Sequence, residues 1–129
     1  MKKYEGTLYI DSDLYFYDKI PDYNKTTFTL HFNKKYPIEN LGRITMSCSL
    51  GFINLGYTYF NKDEETLGWL ELYDKIYKIK KKEINTINNK IWNQKFYNFM
   101  PWLFQNYNID RNDGINVGHW NYSRERNLT

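Results

Sequence analysis

Two histidines are the side chains best suited to move a proton near neutral pH. They stand in matching triplets, His31-Phe32-Asn33 and His119-Trp120-Asn121. On a strand, residues two apart share a face, so each His would lie beside its Asn. Facing one another across a cleft, the two imidazoles could act as a general acid and base. His31, His119, Asn33 and Asn121 are then the candidate catalytic set. Such chemistry requires each imidazole within hydrogen-bond reach of the reacting atoms. The plainer reading is two unrelated polar surface histidines.

The paired triplets resemble the tandem His-x-Thr/Ser signature of the 2H phosphoesterases. In that family two histidines serve as acid and base, and the hydroxyls hold the phosphate. The resemblance covers these six residues only, and Asn stands where the signature has Ser or Thr. Other arrangements offer less. Asp11 and Asp13 supply two carboxylates, against the six to eight oxygens that calcium takes. Asp110-Arg111-Asn112-Asp113-Gly114 opens like an EF-hand loop, but its Gly comes one position early and Asn121 stands where the closing Glu belongs. The chain has no P-loop, no Gly-x-Ser-x-Gly and no zinc-spaced Cys/His set. No metal or cofactor is expected.

Two further groups could recognise a macromolecule. Tyr9, Tyr15 and Tyr17 alternate with apolar residues and would give an aromatic outer face. Tyrosine offers large contact area at small entropic cost and is enriched in interface hot spots. The alternative is that another segment covers these rings. Lys75, Lys78 and Lys82 fall near one face of a helical pattern, with Lys81 beside them. They read either as a phosphate-contacting stripe, joined by Arg124 and Arg126, or as a solvated helix face.

The elements that must position these groups are read from periodicity. Residues 4–10 and 14–17 alternate and are separated by the turn signal Asp11-Ser12-Asp13, which predicts a hairpin. Thr26 to Phe32 predicts a third strand. The uncharged run from Ile44 to Asn61 predicts two central strands joined at Gly51. Leu67 to Tyr73 predicts a sixth strand, after a charged turn at 62–65. The period then changes. Ile76, Ile84, Ile87 and Ile91 form a helical stripe, predicting a helix over about 75–99 with Asp74 as N-cap and Pro101 as its stop. A start near Glu83, with a strand over 76–80, is the alternative. Pro101 suits the first turn of a short second helix. Ile115 to Tyr122 predicts a last strand, and residues 123–129 a frayed tail.

Composition sets the bounds. A chain of 129 residues makes one domain and needs no disulfide staple. The single Cys48 falls on the apolar side of the predicted strand and reads as a core residue. The chain has no alanine and one valine, while Asn, Lys, Ile and Tyr abound, as an AT-rich genome dictates. A low-GC bacterium or its phage is the natural source of such a sequence. Aromatics make up 19% of the chain, enough to fill a core that lacks alanine and valine. Net charge is +3, but residues 1–74 carry −3 and residues 75–129 carry +6. The N-terminus lacks the apolar segment of a signal peptide, and the uncharged run at 44–61 is too often broken by Ser, Thr, Asn and Gly to span a membrane. A cytoplasmic setting is expected, with no membrane partner.

The expected fold is α+β: an antiparallel sheet of five to seven strands with a long C-terminal helix packed on one face. The expected function is binding rather than catalysis. A small inhibitor or immunity-type protein of the anti-defence or anti-CRISPR-like kind would cover a partner's active or nucleic-acid-binding surface. The partner is another protein, as such or within a nucleoprotein complex. The alternatives are a phosphodiesterase using His31 and His119 and a nucleic-acid or nucleotide binder using the lysines.

Overall fold

A computed structural model describes residues 6–30, 45, 48, 49, 51–81, 94–112 and 114–116. Four strands form one sheet: β1 (Gly6–Ile10), β2 (Thr26–Leu30), β3 (Ile53–Asn61) and β4 (Tyr107–Asp110), in the order β1-β3-β2-β4. β3 pairs antiparallel with both β1 and β2. β4 runs parallel to β2. A helix, α1 (Glu64–Lys80), follows β3 directly. Helical turns run through 94–103 and include a 3-10 turn at Tyr97–Phe99 and α2 (Met100–Leu103).

This corrects the expected architecture. The sheet of the described residues has four strands and is mixed, not five to seven and antiparallel. No long C-terminal helix packs across it among the described residues. Among the described residues the longest helix has 17 residues and starts at Glu64, where a strand over 67–73 was expected. The reason is a stripe that the strand reading cut in two. Thr66, Trp69, Leu70, Tyr73, Ile76 and Tyr77 recur every three to four residues, and all are buried or half-buried. Leu67, Gly68, Glu71, Asp74, Lys75 and Lys78 face outward.

The start of α1 is fixed electrostatically. Asp63 is extended and accepts a 2.9 Å hydrogen bond from the Thr66 N–H. Glu64 and Glu65 follow at the positive end of the dipole, while Lys78 and Lys80 occupy the last turn. Partial burial pushes the Asp63 carboxyl up, but hydrogen bonds from Thr66, Asn61 and Glu65 prevail and hold it below its usual value. Asp63, not Asp74, is therefore the N-cap. Pro101 does not stop a helix either; it sits in the first turn of α2.

Other elements also differ. Thr45, Cys48 and Ser49 are helical, and the Ser49 hydroxyl donates back to the Thr45 carbonyl. Cys48 is exposed rather than in the core. Residues 14–17 form no strand, so β1 pairs with β3 instead of closing a hairpin. Ile115 and Asn116 lie in a bend. Ile84, Ile87 and Ile91 lie outside the described residues.

The core occupies one side of the sheet. Phe28, Leu30 and Ile53 meet Trp69, Phe96, Tyr97 and Met100, with Phe60, Tyr107 and Ile109 around them. Aromatic rings supply most of its volume. Phe28 meets Phe60, Tyr97 and Tyr107 edge-on, and Trp69 stacks on Phe96 at 4.6 Å between centroids. Such edge-to-face and offset contacts are the favoured geometries of ring quadrupoles. A cavity of about 10 Å³ remains between Thr26, Phe28, Trp69, Met100, Phe104 and Tyr107. That is room for one water molecule at most.

Two substitutions test this packing. Phe28 is fully buried, so Phe28→Ala should cost about 3–5 kcal/mol in urea denaturation. Gly68 is exposed inside α1, and a methyl group there would meet nothing within 4 Å. Gly68→Ala should therefore raise stability by about 0.5–1 kcal/mol. A loss instead would mean that residue 68 is not in a helix interior.

Candidate functional site

The site begins with a fault in the sheet. Phe28 pairs with Thr58, but the next residue, Thr29, pairs with Asn54. Leu55, Gly56 and Tyr57 are thus extra to the β2–β3 ladder and form a wide bulge. Such a bulge leaves backbone groups unpaired inside the protein, where each must find a partner. Side chains provide them. The Thr29 hydroxyl lies 3.0 Å from the Asn54 carbonyl and 3.2 Å from that of Tyr57. The Asn116 amide donates to the same hydroxyl at 2.9 Å, and the Asn54 side chain accepts from the Gly56 N–H at 2.8 Å. Thr29, Asn54 and Asn116 are all buried. Asn116 reaches in from a left-handed backbone conformation (φ 52°) that Asn tolerates better than most residues.

The bulge holds both ends of the loop 11–22. At the start, the Asp11 N–H donates to the Gly56 carbonyl at 2.9 Å, continuing the β1–β3 ladder by one step. A side chain on Gly56 would stand 3.0 Å from the Asp11 carboxylate and 3.1 Å from the Asn54 oxygen, so only glycine fits without displacement. At the far end, the Tyr23 hydroxyl lies 3.2 Å from that of Tyr57 and donates to Asp110 on β4 at 3.0 Å. The Tyr23 ring also packs against Tyr57 and Tyr59. Midway, Phe16 touches the Tyr57 ring.

Between these anchors the loop projects. Tyr15 is 84% exposed and Tyr17 98%. Ile20 and Phe16 are also exposed in part. Tyr9, at 50% exposure, is linked to the loop through its hydroxyl, which donates to Asp11 at 3.0 Å. That bond, with the negative charge of Asp11 and slight burial, raises the Tyr9 pKa. Tyr9 is thus tied to the start of the loop that carries Tyr15 and Tyr17, although no hairpin carries them.

The other sequence candidates fare differently. Lys75 and Lys78 are exposed on α1, and Lys78 forms an ion pair with Asp74 one turn earlier. Lys82, His31, Asn33, His119 and Asn121 lie outside the described residues. Sequence reasoning did not single out Tyr23, Tyr57 or Asp110, nor a second apolar area at Phe52, Phe99, Trp102 and Leu103. Trp102 is 81% exposed. One signal existed for it: a four-residue helix that buries Met100 and turns Phe104 inward must leave Trp102 outside.

Burial comes first among the causes that push the Tyr23 phenol far above its usual range, followed by its bonds to Tyr57 and Asp110. Burial also raises Tyr57; the bond from Tyr23 opposes this, and the Asp110 charge adds to it. Both rings stay neutral when an unfolded tyrosine ionises, near pH 10. Their contribution to stability is then present below about pH 10 and is lost as pH rises toward the folded values.

Among the described residues no group of three or more His, Cys, Asp or Glu could hold a metal ion. No helix among them is long and apolar enough to cross a membrane.

The anchored loop yields three expectations. Thr29→Val, which removes the hydroxyl at the centre of the bulge, should cost about 1–3 kcal/mol in urea denaturation. Tyr15→Ala and Tyr17→Ala should each change stability by less than about 0.5 kcal/mol. A large loss at either tyrosine would mean that the ring is covered. Stability should also fall between pH 9 and 11, and Tyr23→Phe should lessen that fall relative to the parent chain. An equal fall in both would assign it to other groups. The chain matches no family model, and searches of curated proteins and of solved structures return no match.

Proposed function

We propose that this chain is a binding protein that covers a functional surface of another protein, with loop 11–22 as its recognition element. One observation supports this above the rest: two neighbouring tyrosines, 84% and 98% exposed, ride on a loop tied down at both ends. Tyr15 and Tyr17 are ready to enter a partner's pockets with little loss of backbone freedom, which preserves affinity. An inhibitor or immunity-type role, of the anti-defence kind expected for a small protein from an AT-rich bacterial or phage genome, fits this design. The reading needs no cleft, and the 10 Å³ cavity by the core offers none.

A photo-reactive residue placed at Tyr17 tests the proposal. In an extract of a low-GC bacterium it should cross-link to a discrete protein, and the adduct should weaken when Tyr15 is also changed to Ala. The same residue at Lys75, on exposed α1, should not give that adduct. Tyr15→Ala should lower affinity for the captured protein by about 2 kcal/mol or more, mainly through faster dissociation. Cross-linking from Lys75 alone would move the binding surface to the helix.

A further inference from the structure

The chemistry of the loop beside its tyrosines specifies the surface they meet. Residues 11–22 read Asp-Ser-Asp-Leu-Tyr-Phe-Tyr-Asp-Lys-Ile-Pro-Asp, with four carboxylates against one ammonium. All four are exposed. Among the described residues, none of the four forms a salt bridge. Asp11 accepts from Tyr9, and Asp18 accepts the N–H of Lys19 at 2.7 Å. Asp13 and Asp22 have no hydrogen-bond partner among the described residues. The negative charge of the loop is therefore not neutralised by an ion pair among the described residues, in a chain whose net charge is +3.

Resting on the reading of this loop as the recognition element, we infer that its partner presents an arginine-rich, cationic surface of the kind that holds a nucleic-acid backbone. The complementarity has two parts. A guanidinium can pair with a carboxylate through two parallel hydrogen bonds and also stack on an aromatic face. The loop offers both features side by side: rings at 15–17 with carboxylates at 13 and 18. Negative groups bordering flat rings are also what a single nucleic-acid strand presents to its binding proteins, which use basic grooves and stacking platforms. A neutral apolar partner would leave the carboxylates facing it without counter-charges. An acidic partner would be repelled.

The attraction is local. Charges more than about 8 Å apart are largely screened at physiological ionic strength, so the field at contact is set by the charges nearest the interface. Carboxylates at the rim of such an interface govern partner choice and encounter rate more than lifetime, while the tyrosines govern lifetime.

The probe is a nona-arginine peptide, with nona-glutamine as control, titrated into the ¹⁵N-labelled full chain. Nona-arginine should shift amides within 11–22 in a saturable way, and nona-glutamine should not. The variant Asp13→Asn, Asp18→Asn, Asp22→Asn should bind nona-arginine about tenfold more weakly, since three exposed ion pairs are lost. Asp11 is left in place because it supports Tyr9. A normal amide spectrum of that variant would show that the loss is not unfolding.

Three results would overturn the inference. Shifts could fall equally around Glu64 and Glu71 on α1, or the triple variant could bind unchanged. Sedimentation could instead show that the parent chain self-associates through the loop and the variant does not, making a second copy the occupant. The Tyr17 cross-link separates this inference from the reading beneath it. An adduct undiminished in the triple variant keeps the loop as recognition element and removes the cationic partner; no adduct at all removes both.

Discussion

The wide bulge in β3 is the constraint on which the described structure turns. Three residues that the β2 ladder cannot pair would expose backbone polar groups inside the sheet, a cost of about 1–3 kcal/mol for each one left unsatisfied. Thr29, Asn54 and Asn116 meet that demand, and all three come from different parts of the chain. The bulge also reverses the facing of β3. Ile53 is opposite Leu30 on the core side, and Tyr57 and Tyr59 then belong to the other side, with Tyr23. One irregularity thereby gives β3 an apolar end for the core and an aromatic end for the loop.

A second dependence runs from α1 to β4. Parallel pairing of β4 with β2 needs something to hold the incoming chain, because the two segments are far apart in sequence. Glu65, in the first turn of α1, accepts the N–H groups of Gln105 and Asn106, at 3.1 and 2.7 Å. Thr26 of β2 meets Thr66 of the same turn, side chain to side chain, and its hydroxyl also accepts from the Asn61 N–H. The capped start of α1 is thus the corner at which β2, β3 and β4 are aligned. That alignment places Asp110 under Tyr23, so the far anchor of the loop depends on a helix terminus on the opposite side of the sheet.

The strands β1, β2 and β3 were legible in the sequence; the rest depended on contacts that periodicity does not encode. The uncharged run ending at Asn61 does contain a central strand, and Thr26 to Leu30 is its neighbour. The alternation across 44–50 misled, because Ser and Thr at every second position also suit a helix in which hydroxyls bond back one turn, as Ser49 does to Thr45. The segment 67–73 misled for another reason. Its spacing satisfies both periods over seven residues, and only Asp63 before it and Ile76 and Tyr77 beyond it decide for the helix. β4 has four residues, too few for a period to show; its pairing is set by Glu65, forty residues earlier. Tyr15 and Tyr17 were legible as surface candidates from their neighbours' polarity. Tyr23 and Asp110 were not, since a hydrogen bond across 87 residues leaves no local trace.

The distribution of aromatic residues follows from these constraints. With no alanine and a single valine, the chain has few small apolar residues to fill gaps, and rings must serve as both filler and contact. Rings on the core side interlock: Phe28, Trp69, Phe96 and Tyr97 each touch at least two others. Rings on the bulge side are tyrosines whose hydroxyls can be satisfied by Asp110 or by solvent, which allows Tyr23 and Tyr59 to be only partly covered over the buried Tyr57. From there outward each ring is less buried, through Phe16 to Tyr15 and Tyr17, while the carboxylates between them prevent the loop from collapsing onto the sheet, since each would lose its hydration in doing so. Exposure of the two tyrosines is therefore a consequence of the sequence around them. They are bordered by Asp13 and Asp18, on a loop held at its ends by Asp11 and Tyr23.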